Sequence, residues 1–196
     1  MNKNYKLYLK CILLNNNYCF VSNAILNNNT NSIIISNNLL YLLSLHLRFS
    51  SLFYTAQLVD IFSYEVLSHN NPTSNKKSSN SIVVYNFHVL NTNSKFFFFV
   101  KIPSSVFDFS NLLKKKSLHS ILSITELFFS ANWLEREVTE LNGVFFTGKK
   151  DLRNLMLQYG DSSVPFQKSF PSIGLKEMYY NPIKDTIIQN PVSVQI

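Results

Sequence analysis

The chain has 196 residues, of which 46% are hydrophobic and 15% are charged. This length and balance indicate a globular protein with one domain of ordinary size and exclude an intrinsically disordered chain. The formal net charge is +7. Residues 1–130 carry all of that excess, with 11 basic and 4 acidic side chains, whereas residues 131–196 carry 7 of each. The lysines are scattered or form short clusters at 76–77 and 114–116, which is typical of solvated turns and does not favour nucleic-acid binding.

The first half of the chain predicts a mixed α/β (α+β) sheet with a helix packed on it. β-branched and aromatic residues indicate four strands, over residues 31–36, 57–67, 81–90 and 95–102. Between the first two strands, Asn37 or Asn38 can cap an apolar helix over 39–49. A polar loop over 68–80 and a hairpin connection, NTNS, complete a β-α-β-β-β order that Pro103 ends.

The second half predicts two short helices. Ser123 and Glu126 have the spacing of a capping box that opens a short turn. Residues 133–142 then predict an amphipathic helix, capped by Ser130 or Asn132, that ends at Gly143. The VFF stretch that follows is extended. A second helix is predicted from a cap at Asp151 to Gly160, because apolar residues recur at i, i+3, i+4 and i+7, at Leu152, Leu155, Met156 and Tyr159.

The last 36 residues, 161–196, predict an extended tail. Four of the six prolines lie in it, which excludes a long helix, although 175–180 and 185–189 have the composition of short strands. Such a tail cannot bury its aromatic residues on itself, so it lies along its own domain or, as we favour, along a neighbouring subunit. The predicted organisation is therefore an N-terminal extension over 1–31, a domain over 32–160 and a partner-wrapping tail.

One carboxylate stands out as a candidate for chemistry. On the predicted helix, Glu137 lies between Trp133 and Leu141, inside the apolar arc, whereas Glu135 and Arg136 lie outside it. A buried carboxylate is either a catalytic acid with a raised pKa or a structural ion pair, here with Arg153 or with a partner's arginine. We favour the ion pair, because no nucleophile or histidine has catalytic spacing to Glu137.

Other familiar sites are not indicated. Residues 143–150, GVFFTGKK, resemble a phosphate-binding loop but lack its final hydroxyl residue and follow a helix instead of a strand. Cys11, Cys19 and the four histidines show no metal-ligand spacing. No run of about 18 apolar residues lacks charge, so no transmembrane segment is predicted. On the outer helix face, Arg136 and Glu140 are four residues apart and are expected to pair.

The stretch ANWLEREVTELNGVFFTGKKDLRNLMLQYG, residues 131–160, resembles the signature of the thirty-kilodalton subunit of NADH:ubiquinone oxidoreductase (respiratory complex I), also called NADH dehydrogenase subunit nine. The resemblance is strong over 130–171 and weaker but colinear over 32–102. The signature positions that we expect to be structural or interface residues are Trp133, Glu135, Arg136, Glu137, Glu140, Gly143, Asp151, Arg153, Tyr159, Gly160, Phe170 and Pro171. Gln167 and Ser169 depart from the family pattern, which removes one basic and one acidic position.

The resemblance implies a structural subunit of the peripheral arm, in the quinone-reducing module, packed against the forty-nine-kilodalton subunit and other peripheral-arm subunits. Catalytic residues and bound cofactors are expected to be absent from this chain, with iron–sulfur clusters, FMN and ubiquinone held by neighbours. The location implied is the matrix side of the mitochondrial inner membrane. The bias towards Asn, Lys and Phe, with 25, 15 and 17 residues, favours an A/T-rich organelle gene. A basic mitochondrial ribosomal or RNA-binding protein is the alternative.

Overall fold

The fold begins with a four-stranded mixed sheet. The computed structural model describes residues 30–51, 53–68, 78–103, 120–161 and 163–192. The strands of the sheet are β1 (Thr30–Ile35), β2 (Ala56–Ser68), β3 (Ser78–Val89) and β4 (Ser94–Pro103), in the spatial order β1-β4-β3-β2. β1 runs parallel to β4, and the other two pairs are antiparallel. The predicted β-α-β-β-β order and the mixed class are confirmed.

Helix α1 (Asn37–Phe49) connects β1 to β2 and covers one face of the sheet. Its buried leucines, at 39, 40, 43 and 47, follow the spacing of a single helix face. The predicted asparagine cap is wrong, since the cap position is Ser36. Asn37 instead donates its side-chain amide to the carbonyl of Ser120, at 2.6 Å, because that carbonyl lies beside the start of the helix.

The hairpin between β3 and β4 is confirmed. A 3₁₀ turn, Leu90–Thr92, is followed by Asn93 in the left-handed conformation, φ +46°, which asparagine tolerates better than most residues. The polar loop predicted over 68–80 is shorter than expected, because β3 already begins at Ser78. Its remaining residues, 69–77, lie outside the described residues, as do the clusters at 76–77 and 114–116 and residues 1–29 of the predicted extension.

A second helix, α2 (Ala131–Asn142), packs beside β2 on the same face of the sheet as α1. Two short parallel strands, β5 (Ile121–Leu122) and β6 (Phe146–Thr147), lie near it. The turn after Ser123 is confirmed, but the capping box is wrong. The Ser123 hydroxyl donates to Glu135, and its amide donates to the carbonyl of Thr147, so neither group closes a helix start at Glu126.

The second predicted helix, from Asp151 to Gly160, is wrong. Residues 151–160 form bends and turns without helical hydrogen bonding, although Gly160 does have the positive φ that was expected of it, +85°. The tail contains the two predicted strands, β7 (Lys176–Asn181) and β8 (Thr186–Pro191), which pair as an antiparallel hairpin. Before the hairpin, the amide of Phe166 donates to Leu141 and that of Lys168 donates to the Glu65 carboxylate, so this part of the tail lies on its own domain.

Gly143 ends α2 as predicted, with φ +72° and its amide donating to the carbonyl of Thr139. A Cβ added there would lie 2.9 Å from Nε2 of Gln167 and 3.4 Å from Cγ1 of Val164. Gly148 has φ +84° but no heavy atom within 4 Å of an added Cβ. The two positions therefore share backbone strain and differ in crowding.

We predict that Gly148→Ala lowers the free energy of unfolding by about 1 kcal/mol through backbone strain alone. Gly143→Ala should cost about 2 kcal/mol, since the Gln167 amide must also leave its hydrogen bond to the carbonyl of Asn142. Urea denaturation measures both values. In a Gln167→Ala background the cost of Gly143→Ala should fall to that of Gly148→Ala, and an unchanged cost would disprove the crowding.

Candidate functional site

The candidate site is built around one buried carboxylate, and it belongs to Glu135. Glu135 is fully buried, whereas Glu137 is half-buried and Trp133 is 60% exposed. The buried positions of α2 are Ala131, Glu135 and Val138. The prediction that Glu137 and Trp133 share the buried face is therefore wrong. The predicted apolar arc counts Trp133, which is exposed, and omits Ala131, which is buried, so it is centred on the wrong side of the helix.

Three groups from two other segments compensate the Glu135 carboxylate. Oε2 accepts a hydrogen bond from the Ser123 hydroxyl at 2.7 Å, and Oε1 accepts one from the amide of Ile124 at 2.9 Å. Nζ of Lys149 lies 3.6 Å from Oε2 and donates to the carbonyl of Asn132 at 2.8 Å. Both charged side chains are almost completely buried. This set of contacts joins the turn after β5, the helix and the loop after β6.

Burial dominates the protonation of this pair. It raises the pKa of Glu135, and the hydrogen bonds from Ser123 and Ile124 and the charge of Lys149 oppose that rise only in part. Burial also lowers the pKa of Lys149, although Glu135 opposes the shift. Each partner is thus displaced towards its neutral form, as expected where desolvation exceeds the attraction between the charges.

Tyr85, at the centre of β3, faces the same carboxylate. Burial and the negative charge of Glu135 raise the pKa of its phenol well above the usual value. Its hydroxyl is buried and has no hydrogen-bond partner in the described part of the chain. The phenol therefore stays protonated and does not serve as an acid or base near neutral pH.

Arg136 and Glu140 do not form the direct pair that was predicted. Arg136 donates from Nε to the carbonyl of Arg153 at 2.7 Å and from an Nη to that of Asn154 at 3.0 Å. It also lies 3.6 Å from the Asp151 carboxylate and stacks over Trp133, 5.9 Å from the ring centroid. The reason is that the 151–160 loop offers it two carbonyls and a carboxylate.

Glu140 holds the same loop by its amides. Its carboxylate accepts hydrogen bonds from the backbone N–H groups of Leu155, Met156 and Leu157. Burial acts to raise the pKa of Glu140, but these three amides outweigh it and lower the pKa below its ordinary value. Two side chains one helical turn apart therefore bind the loop, one at its carbonyls and the other at its amides.

Arg153 pairs with Asp151 instead of with Glu137, its predicted partner. Two guanidinium nitrogens of Arg153 lie 3.0 Å from the two carboxylate oxygens of Asp151, and this contact holds the pKa of Asp151 well below its usual range. The predicted pairing of Glu137 with Arg153 is therefore wrong, and Glu137 joins none of the ion pairs within the described ranges. Its pairing with a partner's arginine stays a prediction.

Three apolar side chains of the loop are exposed. Leu152, Met156 and Tyr159 are 70%, 65% and 73% exposed, and Trp133 and Phe145 are exposed as well. Leu155 and Leu157 are half-buried. We call the exposed side chains of Trp133, Leu152, Met156 and Tyr159 the signature surface. Of the remaining predicted interface positions, Phe170 is half-buried and Pro171 is exposed.

The contacts of Glu135, Arg136 and Glu140 join the helix to the turn after β5 and to the loops after β6. Lys149, which occupies the lysine position of the phosphate-loop resemblance, is buried, and its Nζ lies 3.6 Å from the Glu135 carboxylate. No group of three or more His, Cys, Asp or Glu residues that could hold a metal occurs in the part of the chain that the structure describes. Within that same part, no helix has the length and apolar character needed to cross a bilayer.

Sequence reasoning missed two of the residues that matter here. Ser123 was assigned to a capping box, and Lys149 drew attention only through the spacing of a phosphate loop. A usable signal did exist, because Ala131, Glu135 and Val138 lie at i, i+4 and i+7, which places a carboxylate on the apolar face of a helix that begins at residue 131.

Comparisons with known proteins agree on one family. The family model described as respiratory-chain NADH dehydrogenase, 30 Kd subunit, matches residues 38–176. An NADH-quinone oxidoreductase subunit of Dechloromonas aromatica is 43% identical over 76 residues, which are 39% of this chain and 38% of that protein. The mitochondrial NADH-ubiquinone oxidoreductase 30.4 kDa subunit of Neurospora crassa is 47% identical over 72 residues, or 37% of this chain and 25% of that protein. These matches span well under half the length of either relative.

The fold also has a counterpart among solved structures. A chain of the membrane-bound sulfane sulfur reductase, described as an archaeal respiratory membrane complex, superimposes with a TM-score of 0.53 at 13% identity. The superposition covers 83% of this chain and 81% of that one. At this identity the likeness shows a shared fold and nothing more.

We predict that Lys149→Met lowers the free energy of unfolding by about 3–5 kcal/mol near neutral pH, because it leaves the Glu135 carboxylate buried without a counter-charge. Without Lys149 the folded-state pKa of Glu135 rises further, so the variant is most stable below the unfolded-state value of about 4.3 and loses stability as pH rises through the folded-state value. Urea denaturation at pH 5 and pH 8 measures this dependence.

The matched control is Lys150→Met, at the exposed neighbouring position, which should change stability by less than about 0.5 kcal/mol. Combining Lys149→Met with Glu135→Gln should recover most of the loss, since the amide keeps hydrogen bonds to Ser123 and Ile124 without a charge. A Lys149→Met chain as stable as wild type at pH 8 would refute the account of the buried pair.

We further predict that Glu140→Gln releases the 151–160 loop without unfolding the domain. Three hydrogen bonds to a carboxylate become weaker bonds to an amide, so the amides of Leu155–Leu157 should exchange with solvent at least about tenfold faster, which corresponds to about 1.4 kcal/mol. In the wild type this protection is present above the ordinary glutamate pKa and is lost as pH falls through the lowered value of Glu140.

Hydrogen exchange at these three amides, corrected for the intrinsic effect of pH, is the measurement. Glu137→Gln on the same helix is the control and should leave their protection unchanged. Equal protection in the Glu140→Gln chain would mean that the loop holds its shape by other contacts.

Proposed function

This chain belongs to the family of the 30 kDa subunit of respiratory-chain NADH dehydrogenase, and we propose that it is a structural subunit of the peripheral arm of respiratory complex I. Its place is the quinone-reducing module, against the forty-nine-kilodalton subunit and other peripheral-arm subunits. The assembly transfers electrons from NADH to ubiquinone and couples that transfer to proton translocation. In this proposal the chain contributes position and stability, while neighbours hold the iron–sulfur clusters, FMN and ubiquinone.

The observation that carries the proposal is that charged and apolar side chains of residues 131–160 are placed differently. The charged side chains, above all Glu135, Arg136 and Glu140, bind backbone groups, Lys149 and Asp151 within the chain. Trp133 on the helix, and Leu152, Met156 and Tyr159 on the loop whose backbone those charges hold, remain exposed. Monomeric soluble proteins rarely leave such a patch uncovered, and a patch of this kind usually marks an interaction site.

The rigid loop also explains how an interface forms without helical structure in residues 151–160. A loop already held in one conformation loses little conformational entropy when a partner binds it. The net charge of zero over residues 131–196 is consistent with docking that depends on apolar contact. The tail aromatic residues Phe166, Tyr179 and Tyr180 are exposed as well, which supports a second contact with the same assembly along the hairpin.

The mitochondrial relative in Neurospora crassa supports a mitochondrial location, and we infer the matrix side of the inner membrane. The bias of the amino-acid composition towards Asn, Lys and Phe supports a gene in the organelle. Family membership also removes the reason for the ribosomal or RNA-binding alternative, which rested only on the net charge.

On native gels the chain should migrate with NADH dehydrogenase activity in a large membrane complex, before and after ribonuclease treatment. A shift to ribosomal fractions that collapses after digestion would disprove the proposal.

We predict that Leu152→Ser combined with Met156→Ser reduces the amount of chain in the complex at least tenfold. The two serines remove apolar area from the signature surface, while the backbone contacts of Arg136 and Glu140 keep the loop in shape, so the melting temperature of the isolated chain should stay within about 2 °C, as expected for exposed positions. Quantitative mass spectrometry of the native-gel band measures incorporation.

The control is Leu42→Ser with Phe49→Ser on helix α1, where the replaced side chains are 51% and 74% exposed. These changes remove a similar apolar area from a surface with no proposed partner and should leave incorporation unchanged. If both double variants assembled equally well, the signature surface would not be the docking site. Normal assembly with lost electron transfer would instead indicate a catalytic role for the segment.

A further inference from the structure

The sheet has a second face that neither helix covers. Both α1 and α2 pack on the face formed by alternate residues such as Val83, Tyr85 and Phe98, which belong to the main core cluster. The intervening residues point the other way. Val84 shows the separation clearly, because it is fully buried yet lies outside that cluster.

Apolar side chains run across this outer face in register. Ile34 is paired with Phe99, Phe99 with Val84, and Val84 with Phe62, so one row crosses all four strands. Ile82 and Tyr64 form the next row. Ile34, Phe62 and Tyr64 remain 42%, 43% and 41% exposed in the chain. We call the side chains of Ile34, Phe62, Tyr64, Ile82, Val84 and Phe99 the outer sheet face.

The apolar band is flanked by positive charge. Lys95 and Lys101 lie on β4 at alternate positions with Phe97 and Phe99, so they project from the same face, and both are exposed. Neither lysine takes part in an ion pair with the described residues. The acidic residue on this face is Asp60, which is half-buried and paired in register with Asn86.

A buried acceptor lies between these groups. The side-chain oxygen of Asn86 is buried and has no hydrogen-bond partner among the residues that the structure describes. An unsatisfied buried acceptor costs about 1–3 kcal/mol.

The charge identifies the kind of occupant. The parts of this chain outside the described ranges carry the same sign, with three lysines and no acid in 1–29, two lysines and no acid in 69–77, and three lysines and one aspartate in 104–119. A second copy of the chain docked by the same face would place two surfaces together that both carry an excess of positive charge, from Lys95 and Lys101 against Asp60. Like charges across an interface act against binding, whereas opposite charges favour it.

We propose that the outer sheet face docks a separate polypeptide chain, whose apolar surface is flanked by carboxylates that meet Lys95 and Lys101. The proposal rests on the role as an assembly subunit and adds a second contact, on the side of the sheet opposite the helices. The signature surface and the outer sheet face then hold the subunit from two directions.

The test is incorporation of full-length variants into the native complex. Lys95→Glu with Lys101→Glu should reduce the incorporated amount at least tenfold, and Phe62→Ser with Tyr64→Ser should do the same. Lys95→Arg with Lys101→Arg keeps the charges and should incorporate like wild type. Leu42→Ser with Phe49→Ser is the matched apolar control on the helical side. Melting of each isolated chain separates lost docking from lost folding.

Four results would overturn the inference. If the wild type and both the glutamate and the serine variants were incorporated normally, the outer sheet face would not be a docking site. The proposed function would be unaffected by that result. Deletion of residues 1–29 could also increase the binding of an apolar dye, and Phe62→Ser with Tyr64→Ser could abolish that increase. This result would mean that residues 1–29 of the same chain occupy the outer sheet face. A wild-type dimer that the serine pair converts to a monomer would assign it to a second copy. Absence of the wild-type chain from any respiratory complex would overturn the proposed function together with this inference.

Discussion

The burial of the Glu135 carboxylate is the constraint on which the second half of the structure depends. A carboxylate removed from water costs several kcal/mol unless it is paired and hydrogen-bonded, and the compensating groups come from two other places in the chain. Ser123 and Ile124 lie after β5, and Lys149 lies after β6. All three must be in position together, so the ion pair specifies one arrangement of helix, turn and loop. The displacement of both pKa values towards the neutral forms indicates that this pair contributes specificity of packing more than net stability.

Local sequence was sufficient to predict the sheet and insufficient to predict the site. The four strands are runs of β-branched and aromatic residues bounded by polar turns, and for such runs the buried pleated surface and the local preference agree. The identity of the buried glutamate depends instead on which side chains define the apolar arc of α2. An arc that counts Trp133 with Leu134 and Leu141 places Glu137 inside it, but Trp133 is 60% exposed, whereas Ala131 and Val138 are buried. An arc through Ala131 and Val138 lies beside Glu135 and away from Glu137. Counting Trp133 and omitting Ala131 therefore changed which carboxylate was assigned to the core.

The missing second helix shows tertiary contacts overriding periodicity. Residues 152–159 have helical spacing, but a helix of this length is marginal without tertiary support. In a helix the amides of Leu155, Met156 and Leu157 would bond to carbonyls four residues earlier. Here they bond to Glu140, and Arg136 takes the carbonyls of Arg153 and Asn154. Hydrogen bonds to charged groups are stronger than those between neutral groups, so two side chains of α2 can replace the internal bonding of a short helix.

Residues 151–160 form a loop bound by Arg136 and Glu140 instead of a helix, and this difference explains why the signature surface is apolar. An amphipathic helix over 152–159 would have turned Leu152, Met156 and Tyr159 towards the core, whereas the held loop leaves them exposed. The polar groups that normally face water are used inside, and the apolar groups that normally face inward are outside. The same inversion is absent from the outer sheet face, where the apolar band is a continuation of the strand pattern and Lys95 and Lys101 flank it. The two surfaces therefore differ in physical character: the exposed side chains of the first are apolar, and the second combines apolar side chains with positive charge. In the proposed role, a subunit with two such unlike surfaces can distinguish its neighbours by chemistry as well as by shape.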